Sequence, residues 1–241
     1  ALATDTTKLS PNLKSGAVAA PGRGHGDSPS SRVIYNALRD HAYANNRIAL
    51  CDFASGESAA NAKSKAAEYY ADGKASSMAF YWPQVKVPVP NSTELATGTS
   101  AIQGSTLTIS PLGLVAGARA KAVQESGGPW RAGAGQISAA NTVTDLATDV
   151  TPATGDALDE ARVNAIRKIG SSIRVYGARS VSNDEANWRY ITMRDTLNYI
   201  TIGIEDRMEQ YVFETIDGRG NLFGRIRGSI KAFLEPIRVA G

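Results

Sequence analysis

Residues 48–82 read IALCDFASGESAANAKSKAAEYYADGKASSMAFYW, and their pattern decides the fold class. Ile48-Ala49-Leu50-Cys51 is a short unbroken apolar run, as expected of a strand covered on both faces. Ser58 to Ala71 is rich in Ala, Lys and Glu, which are good helix formers. Met78-Ala79-Phe80-Tyr81-Trp82 is a second buried strand, ended by Pro83. Strand, helix and strand within this length make a βαβ unit, which implies a parallel sheet with a right-handed crossover. The expected class is α/β.

Working outward, residues 1–30 are rich in Gly, Pro, Ser and Ala and read as an N-terminal loop or the remnant of an arm. From Ser31, the apolar positions Val33, Ile34, Ala37, Leu38 and Ala42 fit a helix. Residues 84–109 carry Pro88 and Pro90, a polar tract, and then Leu107-Thr108-Ile109. They read as a surface excursion or hairpin. Pro111 to Gln124 is a helix of small residues suited to close packing. A polar gap from Thr142 to Asp156 precedes a helix expected from about Ala157 to Ile169. The domain boundary is placed there, giving a core of residues 31–156 and a smaller α+β domain of residues 157–241.

In that second part, Ile173-Arg174-Val175-Tyr176 alternates like a half-buried strand, and Gly177 closes it. Ser182-Asn183-Asp184 then supplies turn and N-cap chemistry. The helix expected from Asn187 to Met208 has one apolar row at Tyr190, Met193, Leu197, Ile200, Ile204 and Met208. Another runs through Trp188, Ile191, Tyr199 and Ile202, so burial against two layers is expected. The last helix, from about Gly220 to Ile237, is apolar at Leu222, Phe223, Ile226, Ile230, Phe233, Leu234 and Ile237.

The 241 residues suffice for one large or two small domains with a sizeable core. Hydrophobic residues make up 42% and charged residues 20%, which are ordinary globular values. A net charge of +3 is only weakly basic, and no basic run is interleaved with aromatics, so nucleic-acid binding is not expected. The single cysteine, Cys51, sits in an apolar run and reads as a buried small hydrophobe. No apolar stretch approaches the ~20 residues of a membrane-spanning helix. No signal peptide is seen at the start, and the absence of an initiating Met suggests a processed or partial chain.

Candidate chemistry is sparse. Neither His25 nor His41 has a Cys or His at metal-ligand spacing, and no cofactor is implied. A triad could be drawn from Asp52, His41 and a serine, but no GxSxG elbow supports it. Gly22-Arg23-Gly24-His25-Gly26 resembles a phosphate loop superficially; Ala-Ala-Pro precedes it, which favours a flexible surface loop. These features, with the βαβ unit, are the basis of the alternative reading, an α/β hydrolase-like or nucleotide-binding enzyme. Asn91-Ser92-Thr93 matches a glycosylation sequon, read as incidental. On the last helix, Arg219, Arg225, Arg227, Lys231 and Arg238 are opposed only by Glu235. At about 100° per residue, Arg227, Lys231 and Arg238 fall on one stripe beside the apolar face, with Arg225 on the other flank.

Four segments in order resemble the sheath subunit of contractile tails, as in myophages, phage-tail-like bacteriocins and related injection machines. The first is Gly22-Arg23, Val33-Ile34-Tyr35-Asn36-Ala37-Leu38, His41-Ala42 and Asn46 to Asp52. The second is Ser110 to Ala120, followed by Gly128-Pro129-Trp130-Arg131-Ala132-Gly133-Ala134-Gly135. The third is Val163 to Arg167 with Tyr176-Gly177-Ala178-Arg179. The last is Val212-Phe213-Glu214 with Asn221-Leu222-Phe223 and Ala232-Phe233-Leu234. The chain departs from the family in having Tyr176 where Trp is usual, Ser180 where Thr is usual, and no proline near Gly133. Family members generally carry an N-terminal arm and a C-terminal extension beyond the last helix; with a sequence running from Ala1 to Gly241, these are expected to have been processed, lost or trimmed.

The resemblance implies a parallel-sheet, subtilisin-like core and a smaller C-terminal domain ending in a tube-facing helix. It implies a structural protein, not an enzyme, that polymerises helically with its own copies around a tail tube. Contraction would then drive the tube through the target envelope. The implied partners are the tube protein, the baseplate and the tail terminator, without direct contact to nucleic acid or membrane. The implied location is a virion tail or phage-tail-like particle assembled in the host cytoplasm. Arg225, Arg227, Lys231 and Arg238 become the expected tube-binding residues, because tube exteriors tend to be acidic where that helix docks.

Overall fold

The computed structural model describes residues 16–28, 30–89, 106–216 and 218–240; the Asn91-Ser92-Thr93 sequon lies outside the described residues. In chain order the elements are β1 (Gly16–Ala19), α1 (Ser31–Ala44), β2 (Arg47–Cys51), α2 (Ala59–Ala67), β3 (Met78–Trp82), β4 (Val85–Pro88), β5 (Thr106–Ile109) and α3 (Leu112–Ser126). They continue with β6 (Asp145–Leu146), α4 (Pro152–Glu160), β7 (Val163–Ile169), β8 (Ser172–Tyr176), α5 (Glu185–Trp188), α6 (Ile191–Met208) and α7 (Asn221–Ala240).

The main sheet has the order β1-β2-β3-β7-β8. Its first four strands are parallel, and β8 returns antiparallel to β7. β2 and β3 are buried along their whole length, as their unbroken apolar runs require. Alternation splits each strand between two cores. Ala49, Cys51, Met78, Phe80 and Trp82 face α1, α2 and α4, where Tyr35, Leu38, Ala62, Ala66 and Leu158 meet them. Ile48, Leu50, Ala79 and Tyr81 face the other way, against Leu112 and Val115 of α3 and Ile191 of α6. α2 begins where expected, with Ser58 accepting the Asn61 amide at its head; α4 begins five residues earlier than expected, where Thr151 accepts the Thr154 amide with Pro152 behind it.

The excursion after β3 forms a small antiparallel sheet, β5-β4-β6, anchored by buried Val85 and Leu146. Residues 16–19, assigned from the sequence to an N-terminal loop, form β1 and pair with β2 from Gly16↔Arg47 to Ala19↔Leu50. The helix expected from Ala157 to Ile169 is instead two elements. α4 stops at Glu160, Arg162 turns the chain in the left-handed region (φ 57°), and Val163–Ile169 enters the sheet as β7. Asn164 locks it there: its side-chain amide donates to the Phe80 and Arg179 carbonyls at 3.0 and 2.9 Å, and its carbonyl accepts the Arg179 amide. The sheet is thus continuous across the boundary expected between residues 156 and 157. β8 alternates as expected, with Ile173 and Val175 buried.

The helix expected from Asn187 to Met208 is broken. Asp184 caps the short α5, accepting the Asn187 amide. The chain then extends at Tyr190, because segment 178–180 takes its hydrogen bonds: Ser180 N donates to Arg189 O, and Ile191 N to Ala178 O. Burial on two faces is not found either. The inner face of α6 carries Ile191, Asp195 and Asn198, whereas Met193 and Leu197 on the other row are 44% and 42% exposed. Ile200, Ile204 and Met208, further along that row, are half-buried, so the exposure is confined to its first half.

Phe80 is the centre of the first core, fully buried and stacked between Tyr35 and Phe53 at ring-centroid distances of 5.8 and 5.1 Å. Phe80→Ala should therefore cost about 3–5 kcal/mol of unfolding free energy. Chemical denaturation measures it; a loss below 1 kcal/mol would contradict this packing.

Candidate functional site

α7 is amphipathic by sequence, yet only Leu222 is buried along it. Phe233 is the centre of its contact with α6. Phe233 packs 6.0 Å from Tyr199, and the Arg207 guanidinium lies 3.9 Å over its ring. Gly203 makes room, because a Cβ there would collide with the Phe233 ring. Tyr199 in turn meets Trp130 edge-on at 6.3 Å, which ties the helix pair to the 127–135 segment. Deeper down, Arg119 of α3 and Asp195 of α6 form a buried ion pair. Burial pushes the Asp195 carboxyl upward, and the Arg119 charge opposes that shift.

The outer face of α7 is a groove of about 530 Å³. Phe223, Ile226, Ile230 and Leu234 form its floor, and Arg227, Lys231, Glu235 and Arg238 its sides. The four residues expected to bind a tube differ in what they already hold. Arg225 pairs with Glu214 at 3.3 Å and lies 5.5 Å over Tyr211. Arg238 pairs with Glu235 at 2.6 Å. Arg227 and Lys231 have no acidic partner among the described residues. The groove brings Arg227, Lys231 and Arg238 together, while Arg225 faces the α6–α7 turn. In that turn, Val212, Phe213 and Ile216 are exposed, Phe213 completely. Reasoning from sequence missed this patch, although an apolar pair beside Glu209 and Glu214 was visible.

The residues behind the enzyme alternative lie elsewhere and do not assemble. Asp52 accepts the Tyr35 hydroxyl at 2.7 Å, whereas His41 faces Arg47 at 3.0 Å and Asn45 at 3.4 Å; no hydrogen bond joins the two. Cys51 is fully buried. The glycine segment 22–26 does follow a strand and precede a helix, contrary to the flexible loop expected. It packs tightly instead: His25 bridges residues 52–54 through backbone bonds at 3.0 and 3.1 Å, and a Cβ on Gly24 would strike the Phe53 carbonyl. The amides of Arg23, His25, Gly26 and Asp27 all have acceptors within the chain, so these four do not point at a phosphate. Among the described residues, no group of three or more His, Cys, Asp or Glu side chains could hold a metal ion.

No protein-family model matches the chain, and a search of curated proteins finds no match. Solved structures do match. A chain in the cryo-EM structure of the anti-feeding prophage helical sheath, contracted state, aligns with 94% of this chain at 23% identity and a TM-score of 0.66. A chain of the anti-feeding prophage baseplate, six-fold symmetrised, gives 94%, 22% and 0.67. The PVC sheath complex of an extracellular contractile injection system, contracted state, gives 80%, 22% and 0.63. The chain has the contractile-sheath fold. It spans about half of each matched chain, 55%, 54% and 49% in the same order.

Two predictions follow from this geometry. Gly203→Leu should prise α7 from α6, so amide exchange across 221–240 should accelerate at least tenfold while that of β2 and β3 stays unchanged. Unchanged protection of α7 would refute the central role of Phe233 and Gly203 in that contact. Separately, burial holds both histidines below their usual range, and for His41 the Arg47 charge adds to the effect. The unfolded chain therefore takes up these protons first. Stability is full above about pH 6.5 and falls as the pH drops below it. His25→Phe should shrink the loss of denaturant midpoint between pH 7 and pH 5; an identical loss would exclude His25 as its source.

Proposed function

We propose that this chain is the structural subunit of a contractile tail sheath. It would assemble helically around a tail tube and contract to drive the tube through a target cell envelope. The observation that carries the reading is the sheath fold along 94% of the chain. The exposed apolar face of α7 supports it, since an isolated globule has no use for such a surface. In this reading the parallel sheet is the subtilisin-like core, and α6 and α7 belong to a smaller C-terminal domain. Heterologous contacts that do not close into a ring generate an open sleeve. Strands contributed by neighbours' arms would add to the edges of the sheet, which are β1 and β8. The subunit does mechanical work without catalysis, with the extended sleeve held in a kinetic trap until release. Its partners would be its own copies, the tube, the baseplate and the terminator. It would reside in a virion or phage-tail-like particle, assembled in the host cytoplasm.

The tube contact is assigned to the basic stripe of α7. Arg227 and Lys231 contribute most, because Arg225 and Arg238 already hold Glu214 and Glu235. Arg227→Glu with Lys231→Glu should abolish assembly on the matching tube while moving subunit stability by no more than about 0.5 kcal/mol. Negative-stain microscopy and thermal unfolding measure the two effects, and assembly of the parent chain should weaken with added salt. Normal extended sheaths from the double variant would remove the tube assignment. Failure of the parent chain to assemble with the tube at all would remove the sheath function.

A further inference from the structure

Phe213 is in the left-handed region at φ 67°, where bulky side chains are strained, and its ring is fully exposed. The turn that presents it is nonetheless well braced. Glu214 N donates to Tyr211 O at 3.2 Å, Arg225 pairs with Glu214, and the Tyr211 hydroxyl reaches Arg225 O. Strain and exposure together give the isolated chain nothing, so their return must come from another molecule.

A receptor of matching chemistry lies on the same chain. Between α3 and the small β4–β5 sheet is an open groove of about 420 Å³, floored by Val85, Leu114, Ile137 and Val143. Gly113 and Gly117 widen it, for a Cβ at either would touch nothing within 4 Å. Its one charged lining residue is Lys121, held only loosely by Glu125 at 4.0 Å. Glu214 of the Phe213 turn is held by Arg225, but Glu209 beside it supplies a carboxylate complementary to Lys121. The two surfaces are also apart: α3 meets α6 at Asp195, and the thirteen residues from there to Met208 rise about 20 Å. A chain's own Phe213 does not enter its own groove.

We infer that the Phe213 turn of one copy seats in the α3–β4 groove of the next. Knob and socket are different surfaces, so the contact is heterologous and propagates without closing. The inference rests on the self-assembly proposed above and names one contact within it.

The test begins with a photoreactive benzoylphenylalanine at position 213, in sheaths assembled from a mixture of isotopically light and heavy chains. Light–heavy cross-links should reach residues 110–118 or 137–143. Cross-links mapping elsewhere, or absent from a sample that contains helical assemblies, overturn the contact and leave the sheath reading standing. Absence of any assembly from the parent chain overturns both. Two variants give an independent readout. Phe213→Gly removes the strain, so it should raise the denaturant midpoint of the subunit while weakening assembly at least tenfold. Gly117→Phe fills the socket into open space, so it should weaken assembly similarly with the midpoint unchanged. Parental assembly by both variants overturns the inference.

Discussion

Complete burial of two adjacent strands is the constraint from which the rest follows. β2 and β3 carry apolar side chains on both faces, so the sheet needs a cover on each side. Crossover helices α1 and α2 supply one cover as a direct result of parallel connectivity, and α4 completes it. The second cover comes from distant sequence. α3 and the first turns of α6 supply it, about 75 residues apart in the chain, and the Arg119–Asp195 pair joins them. A buried ion pair of this kind contributes position more than net stability, since desolvation offsets much of its attraction. Here it fixes where α6 leaves the sheet.

That exit has consequences for the candidate site. Only the start of α6 is needed to cover the sheet, so the remainder of α6 and all of α7 project with little packing of their own. Of the seven large exposed apolar side chains after residue 190 among the described residues, all but Met193 lie on this projecting part: Leu197, Val212, Phe213, Ile216, Phe223 and Val239. The sleeve assembly proposed above would cover such surfaces, because subunits of a sleeve pack on one another. A surface meant for several neighbours is naturally apolar at its centre and charged at its margin. The α7 groove has that layout.

The βαβ unit was legible because Ile48–Cys51 and Met78–Trp82 are unbroken apolar runs with a clear helix former between them. β7 was not, because Asn164, Arg167 and Lys168 interrupt it, and its neighbours resemble the helix that precedes it. The decisive feature, a left-handed Arg162, has no sequence mark of the kind glycine would leave. β1 is four small residues with too little pattern to read, and only pairing with β2 makes it a strand. The break at Tyr190 arises from backbone partners in segment 178–180, which no periodicity reveals. On α7 the amphipathic stripe was plain in the sequence, and the Arg238–Glu235 pair follows from i,i+3 spacing. The engagement of Arg225 by Glu214 depended on the turn between the helices, so it was not visible.

The shape of α6 gives the fold a mechanical gain. It is clamped at one end by the Arg119–Asp195 joint and loaded at the other by α7, in effect a cantilever. A tilt of about 10° at the clamp would sweep the loaded end through about 3–4 Å over its ~20 Å span. Displacements of that size exceed what a packed contact tolerates, so a modest rocking of the sheet would be enough to break any contact made at the loaded end.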